Sequence, residues 1–332
     1  MSKKTPIAIL GAGAMGCAVA KLLERHKRPI RLFDVDPKTV SAINEQHENP
    51  VCMPGIKLAA NVTATSNIAD ALKDAEVVFM IIPSTFVRET MQKAAPYLLP
   101  DAVIVNISKG LDEQTLLPPI LSDGILPATN QSRVVVVGGP AIASDLCSNC
   151  PTGLVIASAD GKARRIVKKL LESDTIKIAT SKDMKGVGLA AALKNTYAIA
   201  LGMCDGLKLS TNAKALILTL ALQEMTNIIV ALKGKSATAS GLAGLGDLVV
   251  TGFSPQSRNR TYGEKLAEAT TNDPTALGLP TVEGIPATNL AVKLVTREHV
   301  DAPLLMSIHA CLQMTTNFTQ PFQTFVKTLR LP

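Results

Sequence analysis

Apolar residues in the first half of the chain come in short unbroken runs, separated by stretches whose apolar positions recur at helical spacing. The runs cover residues 7–10, 30–33, 77–82, 103–107, 134–137, 154–157 and 176–179. Continuous valine and isoleucine, without polar alternation, fit strands covered on both faces. With helices between most of them, they predict an α/β domain built on a doubly wound, Rossmann-like, largely parallel sheet, with its ligand at the carboxyl ends of the strands. After about Lys182 the strand signals stop, and long helical patterns follow over residues 187–201, 213–232 and 255–269. The expected domains are therefore 1–182, α/β, and 183–332, all-α. The active site is expected in the cleft between them.

Between the first two runs, Gly11, Ala12, Gly13, Ala14, Met15 and Gly16 lead into a helical pattern over 17–25. Gly11 permits a tight turn, Gly13 lets the main chain approach a pyrophosphate, and Gly16 lets the helix pack closely on the strand. Free N–H groups and the helix dipole at that end favour an anion. The second run ends on Asp34, about twenty residues beyond the glycines, where a dinucleotide site places an acidic residue. A carboxylate there accepts hydrogen bonds from a ribose 2′-hydroxyl and repels a 2′-phosphate, which favours NADH, with NADPH less favoured. Asp34 and Asp36 equally fit a turn and a helix cap before Pro37. Lys3 and Lys4, followed by an apolar run and small residues at 18–20, also resemble a secretory signal peptide. Three glycines at cofactor spacing are unnecessary in such a peptide, and the expected location is the cytoplasm.

Composition narrows the partners. A chain of 332 residues with 47% hydrophobic content fills two substantial cores. The strongest membrane candidate, residues 215–232, is interrupted by Gln223, Glu224 and Asn227 and reads as a soluble helix, so no membrane span is expected. The net charge of +7 is scattered and only 3% of the chain is aromatic, which leaves few stacking platforms for nucleic acid. A small phosphorylated anion is the more economical partner. Among six cysteines only Cys147 and Cys150 are closely spaced, half of a zinc site with no nearby histidine, so no metal is expected and reduced thiols suffice.

Several residues carry candidate chemistry. Lys109 follows the run 103–107 beside Gly110, where it faces either the cofactor crevice or solvent. Gly138, Gly139 and Pro140 close a later strand with residues that allow close backbone approach or a plain turn. Lys194 and Asn195 interrupt a helix of small and apolar residues. Burial, and a neighbouring Lys109, lower the pKa of such a lysine and yield an amine that exchanges protons near neutrality. A lysine snorkelling to water is the competing account. A glycine-rich loop over 241–246 ends on Asp247, a carboxylate able to balance catalytic lysines or simply to end a turn. Ser254 is a good N-cap and Pro255 suits the first helical position, so Ser257, Arg258 and Asn259 fall in the first turns of a helix suited to phosphate. An ordinary capped helix with surface arginines fits as well.

In combination and order, GAGAMG from Gly11, SKGL from Ser108, GGPAIA from Gly138, LKNTYAIALGMCDG from Leu193, AGLGDLVVTGFSPQSRNR from Ala243 and VEG from Val282 resemble the soluble, bacterial-type NAD(P)-dependent glycerol-3-phosphate dehydrogenases over nearly the whole chain. The resemblance implies the same two domains and reversible hydride transfer between NAD(P)H and dihydroxyacetone phosphate, giving sn-glycerol 3-phosphate for phospholipid synthesis. It implies that Lys194 is the general acid and base, that Lys109 polarises the carbonyl, and that Asn195, Asp247 and Thr251 line the substrate. It further implies that Arg258 and Asn259 hold the phosphate, beside the helix-cap candidate Ser257, that Arg258, Lys109 and Glu283 touch the cofactor, and that Gly139 and Ala143 offer backbone near substrate and nicotinamide; Gly11, Gly13, Ala14, Met15, Gly16 and Asp34 are the dinucleotide contacts expected of the first turn and the second run. A homodimer is compatible with it.

The chain departs from that pattern in places. Ala14 and Met15 stand where bacterial members often carry a serine and a large aromatic, and Ala141 and Ile142 replace a hydroxyl residue and a phenylalanine. Val35 replaces a common basic residue near the adenosine ribose, after an aspartate where a small residue is usual. Both of the latter changes point toward NADH. Two alternative readings are a catalytically silent NADH-sensing regulatory protein and a related 3-hydroxy-acid dehydrogenase, though neither needs the whole set of lysines, aspartate and helix-capped arginine.

Overall fold

A computed structural model describes residues 5–330 except Asp123, Asn149 and Pro280. Lys3 and Lys4 lie outside the described residues. By its own contacts the chain divides into two compact units. The first comprises Met1–Ser108, Pro119–Val137 and Ala141–Met184, and the second comprises Lys109–Pro118, Gly138–Pro140 and Lys185–Pro332.

The α/β part runs β1 (Ile7–Leu10), α1 (Ala14–Leu23), β2 (Ile30–Phe33), α2 (Pro37–Gln46), β3 (Val62–Thr65), α3 (Ile68–Leu72), β4 (Val77–Met80) and α4 (Val87–Ala94). It continues with β5 (Val103–Asn106), α5 (Ala128–Gln131), β6 (Val134–Gly138), α6 (Ala143–Cys147), β7 (Thr152–Ala157), α7 (Gly161–Leu171) and β8 (Ile176–Ser181). The eight strands form one sheet in the order β3-β2-β1-β4-β5-β6-β7-β8. Parallel pairing joins β1 to β2 and β4, β2 to β3, β4 to β5, β5 to β6 and β7 to β8. Leu10 lies opposite Phe33 on one side and Met80 on the other, so three strands end together where the chain reverses direction across the sheet. Such a switch point opens a crevice at the carboxyl ends, and the glycine turn leaves β1 there.

Ile7, Ile9, Phe79, Val105 and Val135 share one buried cluster with Cys17, Ala20 and Leu23 of α1 and with Val167 and Leu170 of α7. The unbroken apolar runs are thus strands covered by helices, as the pattern predicts. β3 had no counterpart in that pattern. It is an edge strand, Val-Thr-Ala-Thr, with Val62 and Ala64 buried and Thr63 exposed, and half of its residues are polar. The first helix begins at Ala14 rather than Cys17, so Ala14, Met15 and Gly16 belong to its first turn.

From Met184 onward the described elements are helical: α8 (Met184–Gly206), α9 (Thr211–Ala231), α10 (Ser236–Ser240), a π-helical turn over Leu242–Gly246, α11 (Asp247–Phe253), α12 (Arg258–Lys265), α13 (Gly284–Arg297), α14 (Pro303–Gln313) and α15 (Gln320–Thr328). Two helices, α8 and α9, are long and apolar enough to cross a membrane by length and composition, whereas the sequence pattern had singled out only the latter. The apolar window of α8 is wholly buried within the protein and that of α9 is one-third buried. A helix apolar all round is what a protein core takes.

Glu224 of α9 explains how α14 begins. Pro303 opens α14 after Ala302, which supplies no side-chain cap. Leu304 N–H and Leu305 N–H donate instead to the Glu224 carboxylate at 2.6 and 2.9 Å, and the Tyr197 hydroxyl of α8 donates to it at 3.1 Å. The carboxylate thus serves a helix end on a different element, where the dipole also favours negative charge. Burial nevertheless outweighs these donors and pushes the carboxyl up from 4.5 to about 7. Because folding raises this pKa, the proton it binds stabilises the native state fully below 4.5, and that contribution is lost as the pH rises to about 7. A Glu224→Gln variant lacks this titration, so its stability relative to the parent should improve across that window in denaturant unfolding. Glu224→Ala should lose about 3 kcal/mol, since it strands buried donors. A Gln-minus-parent difference that does not move with pH would contradict the assignment.

Candidate active site

The first unit contributes a backbone cradle. Gly11 has φ +111°, which L side chains rarely adopt, and a Cβ there would meet the Ile81 carbonyl. A Cβ on Gly16 would collide with the Gly11 carbonyl oxygen, whereas one on Gly13 would meet nothing within 4 Å. Two glycines are therefore demanded by the protein's own packing and the third leaves open space at the helix start. Gly13 is the N-cap of α1 and supplies no side chain to its amides. Open space beside uncapped amides suits the pyrophosphate of a dinucleotide. Asp34 accepts from Ala12 N–H through Oδ2 and from Asp36 N–H through Oδ1, each at 3.0 Å. The helix-capping role belongs to Asp36 alone, which accepts from Lys38 N–H and Thr39 N–H. Each Asp34 oxygen keeps a further lone pair for a ribose hydroxyl. Val35 beside it is 81% exposed. Ala14 and Met15 open α1, and Ala143 opens α6 in the same unit.

The second unit gathers the charged side chains. Its glycine-rich stretch is a π-helical turn running directly into α11, not the expected loop, and Gly244 is needed there because a Cβ would strike the Ala239 backbone. Asp247 becomes the first residue of α11, continuous with that turn, and Thr251 follows one turn later. Both are buried. Lys194, 5% exposed on α8, donates through Nζ to Asp247 Oδ1 and to Thr251 Oγ1, the latter at 2.7 Å. Thr251 in turn donates to the Asp247 main-chain oxygen at 2.7 Å. Lys109 Nζ donates to the other carboxylate oxygen, Oδ2, at 2.8 Å. Neither lysine snorkels to water. Gly138 packs where a Cβ would press on Val187 and Ala243, and Gly139 takes φ +115°.

One carboxylate therefore faces two ammonium groups, and the three titrate together. Burial raises the Asp247 carboxyl, but Lys109 and Lys194 outweigh it and hold the group below its ordinary value. Burial lowers Lys109, yet Asp247 outweighs that cost and keeps it charged, above its ordinary value. Lys194 is the loser: burial, with repulsion from Lys109 added, overcomes the pull of Asp247 and lowers it to about 7. An amine near neutrality beside a permanently charged one can pass a proton either way.

A second set of amides adjoins this one. Asn195 accepts from Asn259 Nδ2 at 2.9 Å and donates to Glu283 Oε2 at 3.4 Å, and Asn259 accepts from Gly284 N–H at 2.8 Å. Burial raises the Glu283 carboxyl against the fields of Lys109, Arg258 and Lys194. The helix expected from Pro255 instead starts at Arg258, with Ser257 as its cap, accepting from Arg260 N–H at 3.2 Å. Residues 254–257 close a turn first, since Ser257 N–H donates to the Ser254 carbonyl and Gln256 N–H donates to Ser254 Oγ. Arg258 is exposed and Asn259 buried at the start of α12. The structure thus joins Lys109, Lys194, Asp247 and Thr251, joins Asn195, Asn259 and Glu283, and leaves Ser257 bonded within its own helix.

Other partners had little sequence signal. Thr288 donates to Thr196 at 3.2 Å, and Tyr197 reaches Glu224. Glu224 had been visible only as an interruption in an apolar run. Cys147 and Cys150, like the other four cysteines, are free thiols.

Comparison with known proteins finds relatives over nearly the whole chain. The model of the NAD-dependent glycerol-3-phosphate dehydrogenase N-terminus matches residues 6–164, and that of the C-terminus of the same family matches residues 183–323. The chain is 36% identical over 311 residues to glycerol-3-phosphate dehydrogenase [NAD(P)+] of Koribacter versatilis, covering 92% of each chain. It is 34% identical to the enzyme of that name from Lactiplantibacillus plantarum, covering 96% of each. The crystal structure of glycerol-3-phosphate dehydrogenase from Coxiella burnetii superposes with a TM-score of 0.91 at 30% identity, over 98% of this chain and 99% of that one.

The shared carboxylate has a measurable consequence. Replacing Asp247 with asparagine removes the carboxylate bonded to both buried amines, leaving only the more distant Glu283 to offset their charge, and should cost about 3 kcal/mol in denaturant unfolding at neutral pH. Both lysines are then held below their unfolded values, so the deficit should shrink as the pH is raised toward about 10 and they shed their protons. A deficit that is constant with pH would assign Asp247 a packing role instead.

Proposed function

Since the chain belongs to the NAD-dependent glycerol-3-phosphate dehydrogenase family, we infer that it catalyses the reversible NAD(P)H-dependent reduction of dihydroxyacetone phosphate to sn-glycerol 3-phosphate, a supply reaction for phospholipid synthesis. The observation that carries the chemistry is the pair of buried lysines on one carboxylate. The nicotinamide, when bound, supplies the hydride that reaches C2 of the substrate. Lys194 Nζ gives its proton to the C2 oxygen in reduction and takes it back in oxidation. Lys109 Nζ, kept charged by Asp247, donates to the same oxygen and offsets its growing negative charge. Thr251 fixes the Lys194 amine, and Asn195 orients the substrate. Arg258 with the amides of α12 holds the phosphate, helped by Ser257 and Asn259. Gly139, Ala143 and Glu283 complete the contacts to substrate and cofactor.

The glycine turn and Asp34 bind the dinucleotide, and Asp34 selects NADH because a 2′-phosphate would meet its carboxylate. The reading is completed by a cytoplasmic homodimer acting on a small phosphorylated substrate; α9, apolar but only one-third buried, supports the pairing.

Purified protein should oxidise NADH on addition of dihydroxyacetone phosphate and stay idle with unphosphorylated dihydroxyacetone. Lys194→Ala should lose about 10³-fold or more in turnover while binding NADH as before. Because the acid form drives reduction, the parent's reduction rate should fall as the pH rises through about 7, and oxidation should rise over the same range. Full turnover in the alanine variant would remove the lysine from its role. Asp34→Ala should narrow the preference for NADH by raising the efficiency with NADPH, and an unchanged ratio of kcat/KM values would locate selection elsewhere.

A further inference from the structure

We propose that Asn49 is a positioning residue for the dinucleotide turn, aiming the Gly13 N–H at the pyrophosphate by holding the carbonyl of the same peptide group. Asn49 lies beyond the end of α2 and is 2% exposed, in a segment whose sequence carried no chemical signal. Its Nδ2 donates to the Ala12 carbonyl at 2.8 Å, and Cys17 Sγ donates to the same oxygen at 3.1 Å. On the other side of Ala12, its N–H is held by Asp34 at 3.0 Å. The peptide groups on both sides of Ala12 are therefore anchored to side chains.

A trans peptide is planar, so the C=O of Ala12 and the N–H of Gly13 point in opposite directions. Drawing the carbonyl toward Asn49 and Cys17 turns the N–H away from them. Among the described residues no protein acceptor meets the Gly13 N–H, and the space on Gly13 is open. A pyrophosphate oxygen is the acceptor that this orientation prepares for. Asn49 makes the clamp rigid because its own carboxamide is fixed: Oδ1 accepts from Val51 N–H and Cys52 N–H, each at 3.1 Å. Neither Gly11 nor Gly16 can set this direction, since both act by what they lack.

The inference rests on the turn binding a dinucleotide. The test is the dissociation constant of NADH, followed by its fluorescence, with steady-state kinetics alongside. Asn49→Ala should weaken NADH about tenfold and raise its KM equally, with kcat at saturating NADH and KM for dihydroxyacetone phosphate unchanged. Asn49→Asp keeps the acceptor for Val51 and Cys52 but has no proton to donate to Ala12, and should lose affinity in the same direction even if the alanine variant folds poorly. Asn44→Ala is the matched control. Asn44 makes two bonds of the same kind to Ala64, at 2.8 and 2.9 Å, in the same unit but not to the turn, and its loss should lower the melting temperature without weakening NADH. Unchanged NADH affinity in both Asn49 variants, or an equal loss in Asn44→Ala, would overturn the proposal. A parent protein that fails to bind NADH would overturn the dinucleotide reading itself, a distinguishable result.

Discussion

The Asp247 carboxylate is buried with an ammonium group on each of its oxygens, and the arrangement of the second unit follows from that imbalance. Taking an isolated ion out of water costs several kcal/mol even after relaxation, and only a well-placed opposite charge offsets it. One carboxylate can offset one lysine well and two lysines poorly. The surplus is settled by where each amine sits. Lys109 keeps its proton, and Lys194, deeper in the helix packing, gives up most of its preference for the charged form. The glycines around Asp247 serve the same end, because the π-helical turn and its contact with Ala239 set the aspartate at the start of a helix rather than in solvent.

The centre of the second unit is α8, and its polar residues are placed accordingly. Four consecutive positions bond to four different partners: Lys194 to α11, Asn195 to Asn259 of α12, Thr196 to Thr288 of α13, and Tyr197 to Glu224 of α9. Successive helix residues point about 100° apart, so four in a row reach around the circumference. A helix that is buried on every side can satisfy polar groups only through such radial bonds, since no water is available. Between Gly186 and Cys204 the remaining residues of α8 are small or apolar for that reason, and charge returns only toward its ends, at Lys185 and Asp205. Misplacing α8 by one residue would exchange the partners of all four, which makes its register a condition of the chemistry and not only of packing.

How much of this was legible in the sequence depended on whether the signal was local. Strands covered on both faces announced themselves through unbroken valine and isoleucine, and β3 escaped because an edge strand with one solvent face reads as Val-Thr-Ala-Thr. The glycine turn was legible because its demands are steric and fall within six residues. The competing roles of Asp34 and Asp36 looked interchangeable in one dimension and separate cleanly in three, one bracing the turn and the other capping a helix. Boundaries set by turn chemistry misled: Ser254 and Pro255 carry good start signals, yet the turn they form delays the helix to Arg258 and gives the cap to Ser257. The sharing of Asp247 was legible only as one of two readings of its loop, because Lys109 and Asp247 are 138 positions apart and no spacing rule links them.

The two units thus prepare for their ligands by different physical means. The first works through the backbone: its peptide planes are held by Asp34, Cys17 and Asn49, and its cost is conformational, which is why glycine dominates there. The second works through charge confined by burial. A reversible reaction needs one group that is an adequate acid in one direction and an adequate base in the other, and only a group whose pKa lies near the working pH does both. Lysine in water fails that requirement by several units. A counter-charge alone would hold the amine protonated, and burial alone would empty it. A carboxylate divided between two lysines leaves one of them balanced between those limits, so the second lysine, by its repulsion, helps set the state of the first.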